Sequence, residues 1–170
     1  MSDARDELRA AIDGLSEEQA RTLAGWAGMV SRQPRARAGE RSVGPLGDAL
    51  GITSELQEGG RCRMRLQVDP GWHNPHGVVH GGVVYTLIDY SMGGAVTSAL
   101  TAGQHCTSIE VKVSYLASVR EGTLTVDSSV VKQGRNVAFV ESKVTDDAGR
   151  LVATGSGSMF IFGGEPKESA

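Results

Sequence analysis

The apolar positions change their period near residue 44. Ahead of it, Leu8, Ile12 and Leu15 recur at i, i+4 and i+7, and after Ser16 the set Leu23, Trp26, Ala27 and Val30 repeats that spacing. The pattern predicts two amphipathic helices within residues 3–31. Ser16 and Gln19 have the spacing of a capping box, in which each side chain satisfies an amide of the other residue. "RQPRARAGER" at 32–41, with four arginines, Pro34 and Gly39, breaks the pattern. It reads as a solvated linker, its charge solubilising rather than a binding patch. Beyond Gly44 alternation takes over. At 61–68, Cys62, Met64, Leu66 and Val68 fall on one face and Arg61, Arg63, Arg65 and Gln67 on the other, as in a half-buried strand. Residues 107–116 alternate in the same way through Ile109, Val111, Val113 and Tyr115. Further strand-like runs cover 123–132, 136–146 and 150–162, punctuated by Gly134 and by the turn "DDAGR" at 146–150.

One helical pattern, from about residue 81 to 100, interrupts these strands. It has an apolar stripe of Val84, Leu87, Ile88, Ser91, Ala95 and Ala99 that predicts a face packed on the sheet, and a second stripe of Thr86, Asp89, Tyr90, Gly93 and Thr97. The expected class is therefore α+β, an antiparallel sheet against one long helix, with an N-terminal helical extension packed on the main domain or on a neighbouring subunit. The expected division is 1–41 for the extension and linker, 42–163 for the main domain and 164–170 for a flexible tail. Gly93 and Gly94 inside the helix cost roughly 1 kcal/mol each relative to alanine. That cost points to a backbone or ligand in close approach, and Gly93 lies beside Asp89 on the helix surface.

The bulk numbers narrow the function. A chain of 170 residues with 39% hydrophobic and 22% charged residues is ordinary for a soluble globular domain. A net charge of −3 gives no electrostatic footprint for nucleic acid. Asp3, Arg5, Asp6, Glu7, Arg9 and Asp13 exclude a signal-peptide core at the start of the chain, and there is no apolar run long enough to span a membrane. Cys62 and Cys106, 44 residues apart with no CxxC, read as reduced core thiols. Cytoplasmic localisation is the expectation.

Candidate chemistry gathers in "NPHGVVHGGVVYTLID", residues 74–89. "HGG" at 80–82 opens the helix, where unpaired amides favour a developing negative charge and glycines admit a ligand. The same glycines also suit a plain loop-to-helix junction. Asp89, mid-helix among apolar neighbours, is either on a wet face or held in a pocket as nucleophile or general base. His73, His76 and His80 raise a metal site, because imidazole is a common zinc ligand. They straddle Pro75 and Gly77, however, share no helix face and lack a completing carboxylate or thiolate. Asn74 can hold a water or a carbonyl, or can form a turn before proline.

The run Asn74-Pro75-His76-Gly77, then His80-Gly81-Gly82, then Asp89 nine positions after His80, resembles the hotdog-fold thioesterases. The resemblance is to the phenylacetate-degradation type and its 4-hydroxybenzoyl-CoA relatives. It extends over about residues 44–162, including the strand Ser108–Tyr115 and "KQGR" at 132–135, and leaves the N-terminal helices outside. It implies a sheet wrapped round one central helix, with subunits paired edge to edge as homodimers sharing active sites and often again as a dimer of dimers. It also implies metal-independent hydrolysis of an aryl- or medium-chain acyl-CoA, with no cofactor. By position, Gly81 would donate its N–H to the thioester oxygen and His80 would fix that loop. Asn74 would orient the carbonyl or water, Asp89 would attack or activate water, and Ser108 would assist. Substrate-binding positions would be His76, Gly82, Tyr90 and Gly93, with Lys132 and Arg135 meeting the CoA phosphates. Some relatives have a hydroxyl residue where this chain has Gly93, which leaves acyl preference open. A non-catalytic acyl-CoA-binding protein and a metallohydrolase built on the three histidines are the alternatives.

Overall fold

Alternating burial in the strands and near-continuous burial of one helix define the molecule, whose computed structural model describes residues 3–32 and 42–164. The helices are α1 (Ala4–Asp13), α2 (Glu17–Arg32), α3 (Pro45–Leu50) and α4 (Gly81–Thr97). The strands are β1 (Ile52–Glu58), β2 (Arg61–Gln67), β3 (Gln104–Tyr115), β4 (Thr123–Gln133), β5 (Val137–Thr145) and β6 (Leu151–Gly163), with a single 3-10 turn at Pro70–Trp72. All six strands form one antiparallel sheet in the order β1-β2-β4-β5-β6-β3, so β1 and β3 are its edges.

Helix α4 touches every strand. Leu87, Ile88, Met92, Ala95 and Val96 have no exposed surface and share one cluster with Leu66, Leu124, Val126 and Val144 from the sheet. Met92 and Val96 lie outside the expected stripe, and Ala99 falls beyond the end of the helix. A sheet that meets the helix on more than one flank buries a wider arc than a flat layer would. Three glycines let α4 seat closely. A Cβ on Gly155 would lie 2.8 Å from Ile88 Cγ2, one on Gly157 3.0 Å from Met92 Sδ, and one on Gly94 2.7 Å from Cys62 Sγ.

The strand runs expected from alternation are present. Two elements carried no such signal: α3 is only six residues long, and β1 (burial pattern mixed, with a register shift between Ser54 and Leu56) is an irregular edge strand. Strand β3 begins at Gln104, three residues before the expected start. At the N-terminus the capping box is formed: Gln19 Oε1 accepts from Ser16 N at 2.9 Å and Ser16 Oγ from Gln19 N at 3.3 Å. Helix α1 buries no residue, while α2 rests against the Pro70–Trp72 turn. The linker at 33–41 and the tail from 165 onward lie outside the described residues.

Candidate active site

The loop into α4 is held by its own polar groups. Asn74 Oδ1 accepts from His76 N at 2.9 Å, and the Asn74 backbone closes the turn through Gly77 N→Asn74 O (2.9 Å) and Asn74 N→Val78 O (2.8 Å). Gly77 takes φ of 69°, a left-handed conformation that favours glycine. Arg120 Nη1 donates to Gly77 O at 2.7 Å, and the Arg120 carbonyl meets His73 Nε2 at 2.8 Å. The Asn74 side chain thus builds the turn, as its position before proline allows, and the His76 side chain is exposed.

His80 is the N-cap of α4. Its backbone is extended (φ −63°, ψ 135°) and its Nδ1 accepts from Gly82 N at 2.9 Å. That contact requires a lone pair on Nδ1, so a neutral ring carries its proton on Nε2. Val83 N donates to His80 O, whereas the Gly81 N–H has no acceptor among the described residues. Tyr115 was not anticipated here. Its Oη donates to Gly81 O at 3.0 Å, and its ring would sit 3.2 Å from a Cβ on Gly81. Gly81 is therefore needed for the protein's own aromatic ring as well as for any ligand. Burial pushes the Tyr115 phenol above its ordinary pKa, helped by Tyr85 nearby.

Asp89, in the third turn of the helix, is half-buried and its Oδ1 accepts from Ser108 Oγ at 2.6 Å. Strict alternation through Val111 and Val113 would turn Ser108 outward with Glu110 and Lys112. A bulge between Ser108 and Glu110 breaks the parity: Ile109 is the extra residue, 57% exposed, and Ser108 faces α4. The two faces of the helical glycine pair then separate. Gly94 packs against Cys62, whereas a Cβ on Gly93 would meet nothing within 4 Å. Asp89, Tyr90, Gly93, Cys106 and Ser108 share the wall of a cavity of about 480 Å³. Tyr90 also has a structural task, since its hydroxyl accepts from Gly47 N at 3.2 Å.

Asn74 and Gly81 line a different cavity, of about 410 Å³, with Tyr115 and Val152. The structure therefore brings Asp89, Ser108, Tyr90 and Gly93 together, and Asn74, Gly81 and Tyr115 together, but does not join the two groups within one chain. Gly82 is exposed at the helix start. Lys132 and Arg135 are exposed at the end of β4 and in the turn after it, and line neither cavity. Among the described residues no group of three or more His, Cys, Asp or Glu side chains is placed to hold a metal, and the histidines diverge into separate tasks. Nor is any helix among them long and apolar enough to cross a membrane.

The helix-and-sheet architecture with this loop defines a class of protein. The sequence profile of the thioesterase superfamily matches residues 76–153. A Halobacterium salinarum relative, whose name places it provisionally among esterases, is 37% identical over 124 residues, covering 66% of this chain and 82% of the relative. The Escherichia coli PaaI protein of the phenylacetic acid degradation operon shares the fold, with a TM-score of 0.66 and 23% identity over 70% of this chain and 85% of that one. A hypothetical thioesterase protein from Streptococcus pneumoniae, solved with coenzyme A, matches with a TM-score of 0.62 and 26% identity, covering 68% of this chain and 88% of that chain. The chain belongs to the thioesterase superfamily, with the hotdog fold.

Proposed function

We propose that Asp89 and Ser108 of one subunit and Gly81 of a second subunit form each active site, which hydrolyses the thioester of an aryl- or medium-chain acyl-CoA. One observation carries this reading. Gly81 and Asp89 stand eight residues apart on one helix and line separate cavities. At 1.5 Å per residue that is about 12 Å. An oxyanion donor must lie about 3 Å from the carbonyl oxygen, with the attacking group at the adjoining carbon. Two antiparallel copies of α4 related by a two-fold axis satisfy both demands. Strand β3 supports the pairing: it is an edge strand of 12 residues, bonded among the described residues only to β6, and it carries Ser108.

In this site the Gly81 N–H at the positive end of α4 polarises the thioester carbonyl and receives the charge of the tetrahedral oxyanion. Ser108 Oγ holds Asp89 Oδ1, leaving Oδ2 to take a proton from water as the water oxygen bonds to the carbonyl carbon. Collapse expels the CoA thiolate, which takes up that proton, so one thioester and one water give one acid and one CoA thiol. Direct attack by the carboxylate, followed by hydrolysis of the anhydride, uses the same groups. Asn74 keeps the Gly81 loop in place through its turn. The half-buried wall at Gly93 gives room beside Asp89 for the part of the acyl group next to the thioester carbon, and Lys132 and Arg135 supply cations for CoA phosphates.

Release of free thiol from a panel of aryl- and alkyl-CoAs tests the reading, with Asp89→Asn as the decisive variant. Loss of a positioned acid–base group costs about 100-fold or more in kcat. A folded Asp89→Asn protein with near-normal turnover would remove Asp89 from the chemistry.

A further inference from the structure

Helix α2 together with Gly71, Trp72, His73, His80 and Val83 lines a groove of about 850 Å³. We propose that this groove binds the apolar end of the acyl group, so that the N-terminal extension sets acyl specificity. The inference rests on the hydrolase reading above and extends it to residues outside the matched 76–153. The walls are Ala24, Gly25, Trp26 and Gly28 from α2, facing Trp72, His80 and Val83 among others.

Three features identify the occupant. First, among the described residues the groove carries two indoles and Val83 but no lysine or arginine, which favours an apolar occupant over the phosphates of CoA. Second, it reaches His80, whose neighbour Gly81 supplies the carbonyl-polarising amide; successive Cα atoms are only about 3.8 Å apart. The groove therefore lies next to the proposed carbonyl site in the chain, through the adjacent residues His80 and Gly81. Third, α2 shows small residues to the groove, and a Cβ at Gly25 would meet nothing within 4 Å. Glycine in a helix interior is costly, and here its consequence is open space. The indole of Trp72 is buried, and its Nε1 is a buried side-chain donor with no partner among the described residues. Such donors are rare, and this one belongs to the groove wall. A volume of 850 Å³ lies within the range of small-molecule sites, about 300–1,000 Å³.

The chain has two tryptophans, and both line this groove. Intrinsic tryptophan emission therefore comes from this groove's walls. The full-length protein is titrated with the non-hydrolysable thioether S-decyl-CoA and with free CoA, and is assayed with acyl-CoAs from butanoyl to dodecanoyl. The expected result is a saturable emission change with S-decyl-CoA and none with CoA. Gly25→Leu, which improves the helix while filling the groove, should raise KM for decanoyl-CoA tenfold or more and leave butanoyl-CoA within twofold. Each methylene kept from an apolar site costs about fourfold in affinity. Trp26→Ala should shift KM in the same chain-length-dependent way. Silent emission while S-decyl-CoA inhibits turnover, or a Gly25→Leu protein with uniform KM changes across chain lengths, would overturn the groove assignment and leave the hydrolase reading standing. A wild-type protein that turns over no member of the panel would instead remove the hydrolase reading, and this inference with it.

Discussion

Ser108 donates a hydrogen bond of 2.6 Å to Asp89 across the gap between edge strand β3 and helix α4. It can do so because Ile109 bulges out of register. Removing the hydroxyl leaves the carboxylate in the cavity without its fixed partner. Ser108→Ala is therefore expected to lower kcat about 10-fold, less than Asp89→Asn, with thermal stability within about 1 kcal/mol of wild type. Equal kcat for Ser108→Ala and the parent would make the contact a packing detail.

Tyr115 ties the end of β3 to the carbonyl of Gly81. Tyr115→Phe keeps the ring that covers Gly81 and removes one hydrogen bond, which is worth about 1 kcal/mol. The expected kinetic effect is a several-fold lower kcat through a looser helix start. The pH dependence has a definite sign. Burial raises the folded phenol above 10.0, so the folded state holds its proton after the unfolded chain has lost it. This contribution is complete below the unfolded value and is lost as pH rises from there through the folded value. Alkaline melting curves should thus steepen above about pH 10 for the parent relative to Tyr115→Phe. The ring is 55% exposed, so the difference is small. Curves that run parallel over that window would argue against it.

The helical glycines are expected to part company on substitution. A methyl on Gly94 collides with Cys62 and Met64, inside the core. Overpacking of this kind costs about 1–3 kcal/mol, so Gly94→Ala should melt earlier even though alanine is the better helix former. Gly93→Val enters open space beside Asp89. It should fold normally and lose turnover of bulky aryl-CoAs more than of short alkyl-CoAs. Matched melting temperatures for Gly94→Ala and wild type, or even losses across substrates for Gly93→Val, would reverse these assignments.

Sequence periodicity reached the parts of the fold with regular burial. The alternation at 61–68 marked β2, and the apolar run after "HGG" marked α4, because strong periodicity survives tertiary packing. It did not reach α3, which ends on Gly51 after six residues, or the irregular edge strand β1. At the site, the spacing from Asn74 to Asp89 drew attention to this segment, yet it could not show that Asn74 spends its oxygen on the local turn. The bulge at Ile109 was also invisible, because an extra residue looks like continued alternation of the opposite phase. Tyr115 has no local motif: its contact with Gly81 joins positions 34 apart and exists only once β3 lies beside the start of α4.

The separation of Gly81 from Asp89 yields the most demanding prediction. If each site takes its turn from one chain and its carboxylate from the other, defects in the two elements complement. Asp89→Asn removes the base and Asn74→Ala loosens the turn that carries Gly81, and each homodimer should be inactive or nearly so. In a mixed dimer one site combines both defects, and the other has the intact turn of the first chain and the intact Asp89 of the second. Random exchange of equal amounts makes half of the dimers mixed, with one of two sites restored. Activity should therefore return to about a quarter of the wild-type value per subunit, and should follow the time course of exchange measured with differently tagged chains. Verified exchange without recovery would put Asn74 and Asp89 of the same chain in one site. The 12 Å helix spacing, about 1.5 Å for each of eight residues, would then have to be bridged by a different oxyanion donor than Gly81.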